Sequence, residues 1–105
     1  MKIAFSAATD DKLESSISPH FGRCPFYIFV DLDGDNQVTN VSSIPNAHAK
    51  KHAPGQLPEY IKAQGVDVMI SGGMGGRAMD FFHQFEIDVA TGSSGTVEES
   101  LKKYL

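Results

Sequence analysis

The chain has 105 residues, a length typical of a single domain with one hydrophobic core. Apolar residues make up 41% and charged residues 21%, as in soluble globular proteins, and no apolar run approaches the roughly 20 residues of a membrane span. A net charge of −4 argues against general nucleic-acid binding, and a single cysteine, Cys24, excludes a disulfide framework. The N-terminus has the pattern of a strand and not of a signal peptide, so we predict one cytoplasmic domain, residues 1–105.

The first half of the chain predicts three strands. Residues 2–8 are apolar, and residues 10–22 have the composition of a loop. Phe26–Leu32 is the most strongly β-prone stretch, residues 33–36 (DGDN) are typical of a turn, and residues 37–43 predict the returning strand of a hairpin. A second loop, with two prolines and two histidines, covers residues 44–54.

Helices and strands alternate in the second half. Residues 55–64 predict a helix with Leu57, Tyr60 and Ile61 facing the core, and Pro58 is compatible with its first turn. Residues 66–71 predict a buried strand, which ends in a glycine-rich loop at residues 72–76. We call residues 72–76 the glycine loop.

A second helix begins near Gly75, followed by a last strand at residues 86–90 and a final helix. The sequence Thr-Val-Glu-Glu at residues 96–99 is a capping box, which predicts Thr96 as the N-cap of that helix. The expected inward positions are Ala78, Phe81 or Phe82, and Phe85 on the second helix, and Val97, Leu101 and Tyr104 or Leu105 on the last.

The element order βββαβαβα predicts an α/β domain. Right-handed crossovers require the fourth and fifth strands to run parallel to the first, with the second strand antiparallel beside it. Loops at residues 9–25, 44–54, 72–76 and 91–95 then meet at one edge of the sheet, and ligands of open α/β sheets bind at this carboxyl edge.

The glycine loop suits an anion. Glycines allow close approach of backbone N–H groups to a ligand, and the helix that follows contributes unpaired N–H groups and the positive end of its dipole. The spacing of the glycines matches no nucleotide-binding motif, and a tight β–α turn is the alternative interpretation.

The other loops at this edge add metal ligands and cations. Imidazole, thiolate and thioether groups bind soft or borderline metals, whereas arginine suits a multiply charged anion, so the combination indicates an anionic metal–sulfur species. Each residue also has an ordinary interpretation: a surface histidine, a small buried cysteine, or an arginine paired with Asp10 or Asp11. The candidate cluster-binding residues are Arg23, Gly72, Gly73, Met74, Gly75, Gly76, Arg77, Ser93 and Ser94, and the candidate metal ligands are His20, Cys24, His48 and His52.

The sequence contains no recognisable catalytic motif. One cysteine cannot provide a four-thiolate cluster site, so an iron–sulfur or molybdenum–iron–sulfur cluster would have to arrive preformed.

Three segments resemble the dinitrogenase iron–molybdenum cofactor biosynthesis family, which includes NifX, part of NafY and the C-terminal domain of NifB. They are residues 18–23 (SPHFGR) leading into the strand at 26–31, residues 65–78 (GVDVMISGGMGGRA) and residues 94–101 (SGTVEESL). The resemblance covers essentially the whole chain. It implies a ribonuclease H-like fold with a mixed five-stranded sheet of order 3-2-1-4-5, and binding of a preformed metal–sulfur cluster such as the iron–molybdenum cofactor.

Carried over by motif, the resemblance makes His20, Arg23 and residues 72–77 the site, and His48 or His52 falls where relatives often have a histidine-bearing loop. Cys24 stands where the family typically has a small residue, so its role as a ligand is suggested by this sequence alone. Ribonuclease H-like nucleases need carboxylates on the first strand, and residues 2–8 contain none.

The sequence therefore predicts a small monomeric carrier, not an enzyme, which exchanges its cluster with a donor or acceptor protein and binds neither nucleic acid nor membranes. Two alternatives stay open: a metal-free module for an oxyanion or phosphate-bearing metabolite, and a regulatory protein-interaction domain. The composition of the cluster, including whether it contains molybdenum, is open as well.

Overall fold

Residues 1–46 and 56–105, the part of the chain that the computed structural model describes, form five strands and three helices. The strands are β1 (Lys2–Ala7), β2 (Phe26–Leu32), β3 (Val38–Pro45), β4 (Val68–Ile70) and β5 (Asp88–Ala90). The helices are α1 (Gln56–Ala63), α2 (Gly76–Gln84) and α3 (Val97–Tyr104), and a short 3-10 helix covers Lys12–Glu14.

The strands form one sheet in the order β3-β2-β1-β4-β5. The pairs β1/β2 and β2/β3 are antiparallel, and β1/β4 and β4/β5 are parallel. The Asp33 carboxylate stabilises the turn between β2 and β3 by accepting hydrogen bonds from the backbone N–H groups of Asp35 (2.8 Å) and Gln37 (3.0 Å). The predicted α/β fold, strand order and strand directions are confirmed, and the ribonuclease H-like classification stays a prediction.

Residues of β1 alternate between two hydrophobic clusters, one on each face of the sheet, and helices cover both faces. Ile3 and Phe5 face α3, whereas Ala4 faces α1 and α2. Leu57 and Ile61 of α1 and Phe82 of α2 are buried in the second cluster, as their helical spacing predicted.

The capping box of α3 is confirmed. Thr96 Oγ1 accepts a hydrogen bond from the Glu99 backbone N–H (3.2 Å), and the Glu99 carboxylate accepts one from the Thr96 N–H (3.1 Å). The inward position expected for Tyr104 or Leu105 is wrong, because these residues are 40% and 50% exposed. The inner face of α3 consists of Val97, Ser100 and Leu101, so its last turn adds nothing to the core.

Five strand ends meet at the predicted carboxyl edge. Ala7 at the end of β1 pairs with Phe26 at the start of β2, which pairs with Pro45 at the end of β3. On the other side, Ile70 at the end of β4 pairs with Ala90 at the end of β5. The segment predicted as a loop at residues 10–22 is anchored at this edge by bridges from Ala7 to Ile17 and from Ser16 to Thr96.

None of the helices in the described parts of the chain has the length and apolar character needed to span a membrane.

Candidate functional site

A cavity of about 520 Å³ opens at the carboxyl edge, between residues 18–25, the glycine loop and the first turns of α1 and α2. We call residues 18–25 the His20 loop. The described residues that line the cavity are Pro19, His20, Phe21, Gly22, Arg23, Leu57, Pro58, Gly73, Met74, Gly75, Arg77 and Ala78. The cavity thus brings together six of the thirteen predicted site residues: His20, Arg23, Gly73, Met74, Gly75 and Arg77.

Gly72 and Gly73 allow the two loops to pack backbone against backbone. The Gly72 N–H donates to the Ser18 carbonyl (3.0 Å), and a Cβ atom on Gly72 would lie only 2.6 Å from that oxygen. A Cβ on Gly73 would lie 2.7 Å from the Pro19 carbonyl oxygen. These two glycines fix the distance between the loops, since a larger side chain would separate them.

Gly75 and Gly76 do not have this packing role. In the part of the chain that the structure describes, nothing lies within 4 Å of a Cβ built on either residue, and Gly75 has an ordinary φ of −69°. Gly75 is the N-cap of α2 and offers no side-chain hydrogen bond to the helix. The first N–H groups of α2 are thus left open to a ligand, which these glycines let approach closely.

Two arginines give the cavity a local positive charge. Arg23, Arg77 and His20 are exposed side chains in its lining, and no carboxylate occurs among the described lining residues. Across residues 1–46 and 56–105, the salt bridges are Lys2–Asp31 and Lys102–Glu98, so neither arginine is paired with an acid there. The interpretation that Arg23 pairs with Asp10 or Asp11 is not supported.

The remaining wall of the cavity is apolar. Leu57 and Pro58 of α1 and Phe21 are buried, and Met74 is half-buried against the cluster beneath α1 and α2. Sequence analysis did not assign Leu57 or Pro58 to the site. Their place in the site could have been predicted, because the first turn of α1 lies at the same edge of the sheet.

Cys24 lies in the core and does not line the cavity. Its side chain is fully buried, and its thiol donates a hydrogen bond to the Phe21 carbonyl (3.1 Å). Burial raises the pKa of the Cys24 thiol from 9.0 to about 11, and this outweighs hydrogen bonds, the largest with Tyr27, that lower it. A metal ligand must be an accessible thiolate, so the structure separates Cys24 from the other candidate ligands.

Ser93 and Ser94 line a second cavity, of about 390 Å³, together with Gly72 and Thr96. Pro19 contributes to both cavities and lies between them. The predicted single site is therefore divided in two, and the serines belong to the smaller part.

His48 and His52 lie outside the described residues. Within the described ranges, no group of three or more histidine, cysteine, aspartate or glutamate side chains could hold a metal ion.

A family model described as dinitrogenase iron–molybdenum cofactor matches residues 1–105. The uncharacterized protein MJ0580 of Methanocaldococcus jannaschii is 31% identical over 91 residues, which are 85% of this chain and 76% of that protein.

Three solved structures share the fold. The crystal structure of PH0822 is 34% identical, with a TM-score of 0.87 and coverage of 99% of this chain and 89% of that one. The NMR structure of a putative NifB protein from Thermotoga (TM1290), described as a DUF35 family member, is 24% identical, with a TM-score of 0.80 and coverage of 98% and 85%. The apo orange protein of Desulfovibrio gigas is 20% identical, with a TM-score of 0.83 and the same coverage. At these identities the last two show the fold alone.

Proposed function

The chain belongs to the dinitrogenase iron–molybdenum cofactor family, and on that premise we propose that it is a carrier, not a catalyst, for a preformed anionic metal–sulfur cluster. The cluster is the cargo, and it occupies the cavity between the His20 loop and the glycine loop. The observation that carries the proposal is the described lining itself: it contains two arginines without acidic partners in the described ranges, an N-terminus of α2 without a side-chain cap, and no carboxylate.

The donor set fits a cluster better than a bare metal ion. A bound Zn²⁺ ion typically takes three or four protein ligands, whereas the described lining offers one imidazole, His20, and one thioether, Met74. The metals of a preformed cluster are already bound by sulfide and need few further ligands. His20 is the proposed ligand from the described residues, and His48 or His52 a further one. Cys24 is left out because it is buried.

Hydrogen-bond donors around the cluster balance its negative charge. Arg23 and Arg77 donate charge-assisted hydrogen bonds to sulfides, and the first N–H groups of α2 donate to the same anion. The apolar side formed by Leu57, Pro58 and Ala78 shields one side of the cluster from water. Because His20 and both arginines are exposed, a donor or acceptor protein can reach a cluster bound by a monomer.

Anaerobic reconstitution tests the proposal. We expect protein incubated with iron, molybdate and sulfide to show broad charge-transfer absorbance with stoichiometric metal and sulfide by elemental analysis. His20→Ala should lower the retained metal by at least half. His83→Ala is the matched control, since His83 is an exposed histidine on α2 outside the cavity lining, and it should retain the wild-type amount.

A colourless, metal-free protein under every condition would contradict the carrier function. Stabilisation of that protein by phosphate in thermal unfolding would support an oxyanion-binding module, and no stabilisation would support a protein-interaction domain.

A further inference from the structure

The Gly73, Phe21 and Gly22 carbonyls of the cavity loops are held by side-chain donors that lie outside the cavity lining. The Gly73 carbonyl accepts a hydrogen bond from the Ser71 hydroxyl (2.8 Å), and the Gly73 N–H donates to the same hydroxyl oxygen (3.4 Å). That hydroxyl in turn accepts one from the Ser6 hydroxyl (2.7 Å), and both serines are fully buried. Neither serine lines the cavity, so the Gly73 carbonyl is directed into the protein.

The His20 loop shows the same arrangement. The Phe21 carbonyl accepts hydrogen bonds from the buried Tyr27 hydroxyl (2.9 Å) and the Cys24 thiol (3.1 Å). The Gly22 carbonyl accepts one from the Asn46 side-chain amide (3.2 Å). Tyr27, Cys24 and Asn46 are absent from the described lining, although Phe21 and Gly22 contribute to it.

The direction of a carbonyl group matters in an anion site. A carbonyl oxygen facing the cavity would repel sulfide and attract a bare cation, whereas one directed inward leaves the first N–H groups of α2 and the arginines as the polar groups that the cargo meets. We propose that Ser71 and Tyr27 are positioning residues that make the cavity selective for anionic clusters over bare metal cations, by holding the Gly73 and Phe21 carbonyls toward the interior. This inference rests on the proposed function.

Ser71→Ala and Ser6→Ala form a matched pair for the test. Each variant removes one buried hydroxyl from the same hydrogen-bonded chain, but only Ser71→Ala removes the two bonds to Gly73. Ser71→Ala leaves the Ser6 hydroxyl without this partner, so the double variant Ser6→Ala/Ser71→Ala provides a form without an unpaired hydroxyl. Thermal unfolding of all three checks that each is folded.

Two probes separate positioning from general destabilisation. Tetrathiomolybdate, a simple molybdenum–sulfur dianion, is titrated by visible absorbance, and Zn²⁺ is titrated by competition with a metal indicator. For Ser71→Ala and the double variant we expect the tetrathiomolybdate Kd to rise about tenfold over that of Ser6→Ala, the equivalent of one hydrogen bond. The Zn²⁺ Kd should stay the same or fall.

Tyr27→Phe extends the test to the other loop. It keeps the ring, which lies 5.7 Å from that of Phe21, and removes only the hydroxyl. We expect a smaller rise in the tetrathiomolybdate Kd, since Cys24 still donates to the same carbonyl.

Three further outcomes would decide against the inference. Equal tetrathiomolybdate affinity in Ser71→Ala and Ser6→Ala would overturn it while leaving the carrier function intact. A parallel loss of Zn²⁺ and tetrathiomolybdate affinity would show a structural role only, with the same consequence. Failure of the wild-type protein to bind any metal–sulfur anion would overturn the proposed function and this inference with it.

Discussion

At the scale of single residues, the two cavity arginines have no acidic partner among the described residues. Lys2 and Lys102 are paired with acids, whereas Arg23 and Arg77 are not. An unpaired arginine beside an apolar wall is available for a charge-assisted hydrogen bond, which contributes roughly 1.5–3 kcal/mol. We therefore expect the two arginines to contribute to binding of the anion and not to the free energy of unfolding.

Arg77→Gln should raise the Kd for tetrathiomolybdate by about tenfold or more, because one charge-assisted hydrogen bond is lost, and should leave the free energy of unfolding within about 0.5 kcal/mol. The titration is run at low and moderate salt. Lys103→Gln is the control, since it removes a charge from the exposed face of α3, away from the cavity. Equal losses in the two variants would mean that net charge alone matters.

Cys24 gives the protein an alkaline pH dependence. Burial raises the thiol pKa from 9.0 to about 11, and burial, with a smaller contribution from Cys24, raises the pKa of Tyr27 above its ordinary 10.0. Both groups are neutral when protonated, so the unfolded state loses protons first as the pH rises. The stabilisation is complete below pH 9 and is lost above it.

We expect the free energy of unfolding to fall by roughly 1.4 kcal/mol per pH unit once the pH exceeds the pKa of the Cys24 thiol in the unfolded state. In Cys24→Ala the decline should begin about one pH unit later, where Tyr27 loses its proton in the unfolded state. Urea unfolding from pH 7 to 10.5 measures both curves, and superimposable curves would show that Cys24 is not the group responsible.

The proximity of several candidate residues could be predicted from their positions in the chain. His20, Arg23, Met74 and Arg77 come together because they follow or precede strands that end at one edge. For Cys24 the sequence left a metal ligand and a small buried cysteine as alternatives, and packing with Phe21 and Tyr27 in the structure favours the second.

At the scale of elements, the glycine loop combines two functions in five residues. Its first two glycines permit packing against the His20 loop, and its last two leave the start of α2 open. The sequence alone does not distinguish the two packed glycines from the two open ones. The distinction depends on where the Ser18–Pro19 backbone lies.

Gly72→Ala should destabilise the protein by about 1–3 kcal/mol, because its Cβ would lie 2.6 Å from the Ser18 carbonyl oxygen. Gly76→Ala should be neutral or slightly stabilising in urea unfolding, as alanine favours a helix, yet it should weaken tetrathiomolybdate binding. If Gly76→Ala binds like the wild type, the anion does not approach the backbone at that residue.

The capping box allows a prediction for α3. Thr96→Ala should lower the free energy of unfolding by about 1 kcal/mol, because the Glu99 N–H loses its acceptor, and Thr96→Ser should restore most of it. Urea unfolding of the two variants checks this, and equal stability would show that the cap contributes little.

Element order and direction were predictable from hydrophobic period and turn signals, but boundaries were not. The strands predicted at residues 66–71 and 86–90 are reduced to Val68–Ile70 and Asp88–Ala90, since strand length is set by pairing with neighbours. The strand predicted at residues 37–43 is Val38–Pro45 instead, because β2 pairs with it as far as Pro45.

At the scale of the whole molecule, a chain with a net charge of −4 places two arginines, which have no acidic partner in the described ranges, at one edge of its sheet. The topology explains this, since the βββαβαβα order brings five strand ends and the start of α2 to that edge. The family and the sheet could be predicted from motifs and order. The division of the edge into two cavities could not, because it depends on the path of residues 18–19 between two loops.

The most direct measurement is anomalous X-ray diffraction at the iron edge from crystals of protein loaded anaerobically with a metal–sulfur cluster. We expect a compact anomalous peak within the cavity, bounded by His20, Met74 and Arg77 and facing the start of α2. A peak elsewhere on the protein, or scattered peaks at surface histidines with none in the cavity, would contradict the proposed site.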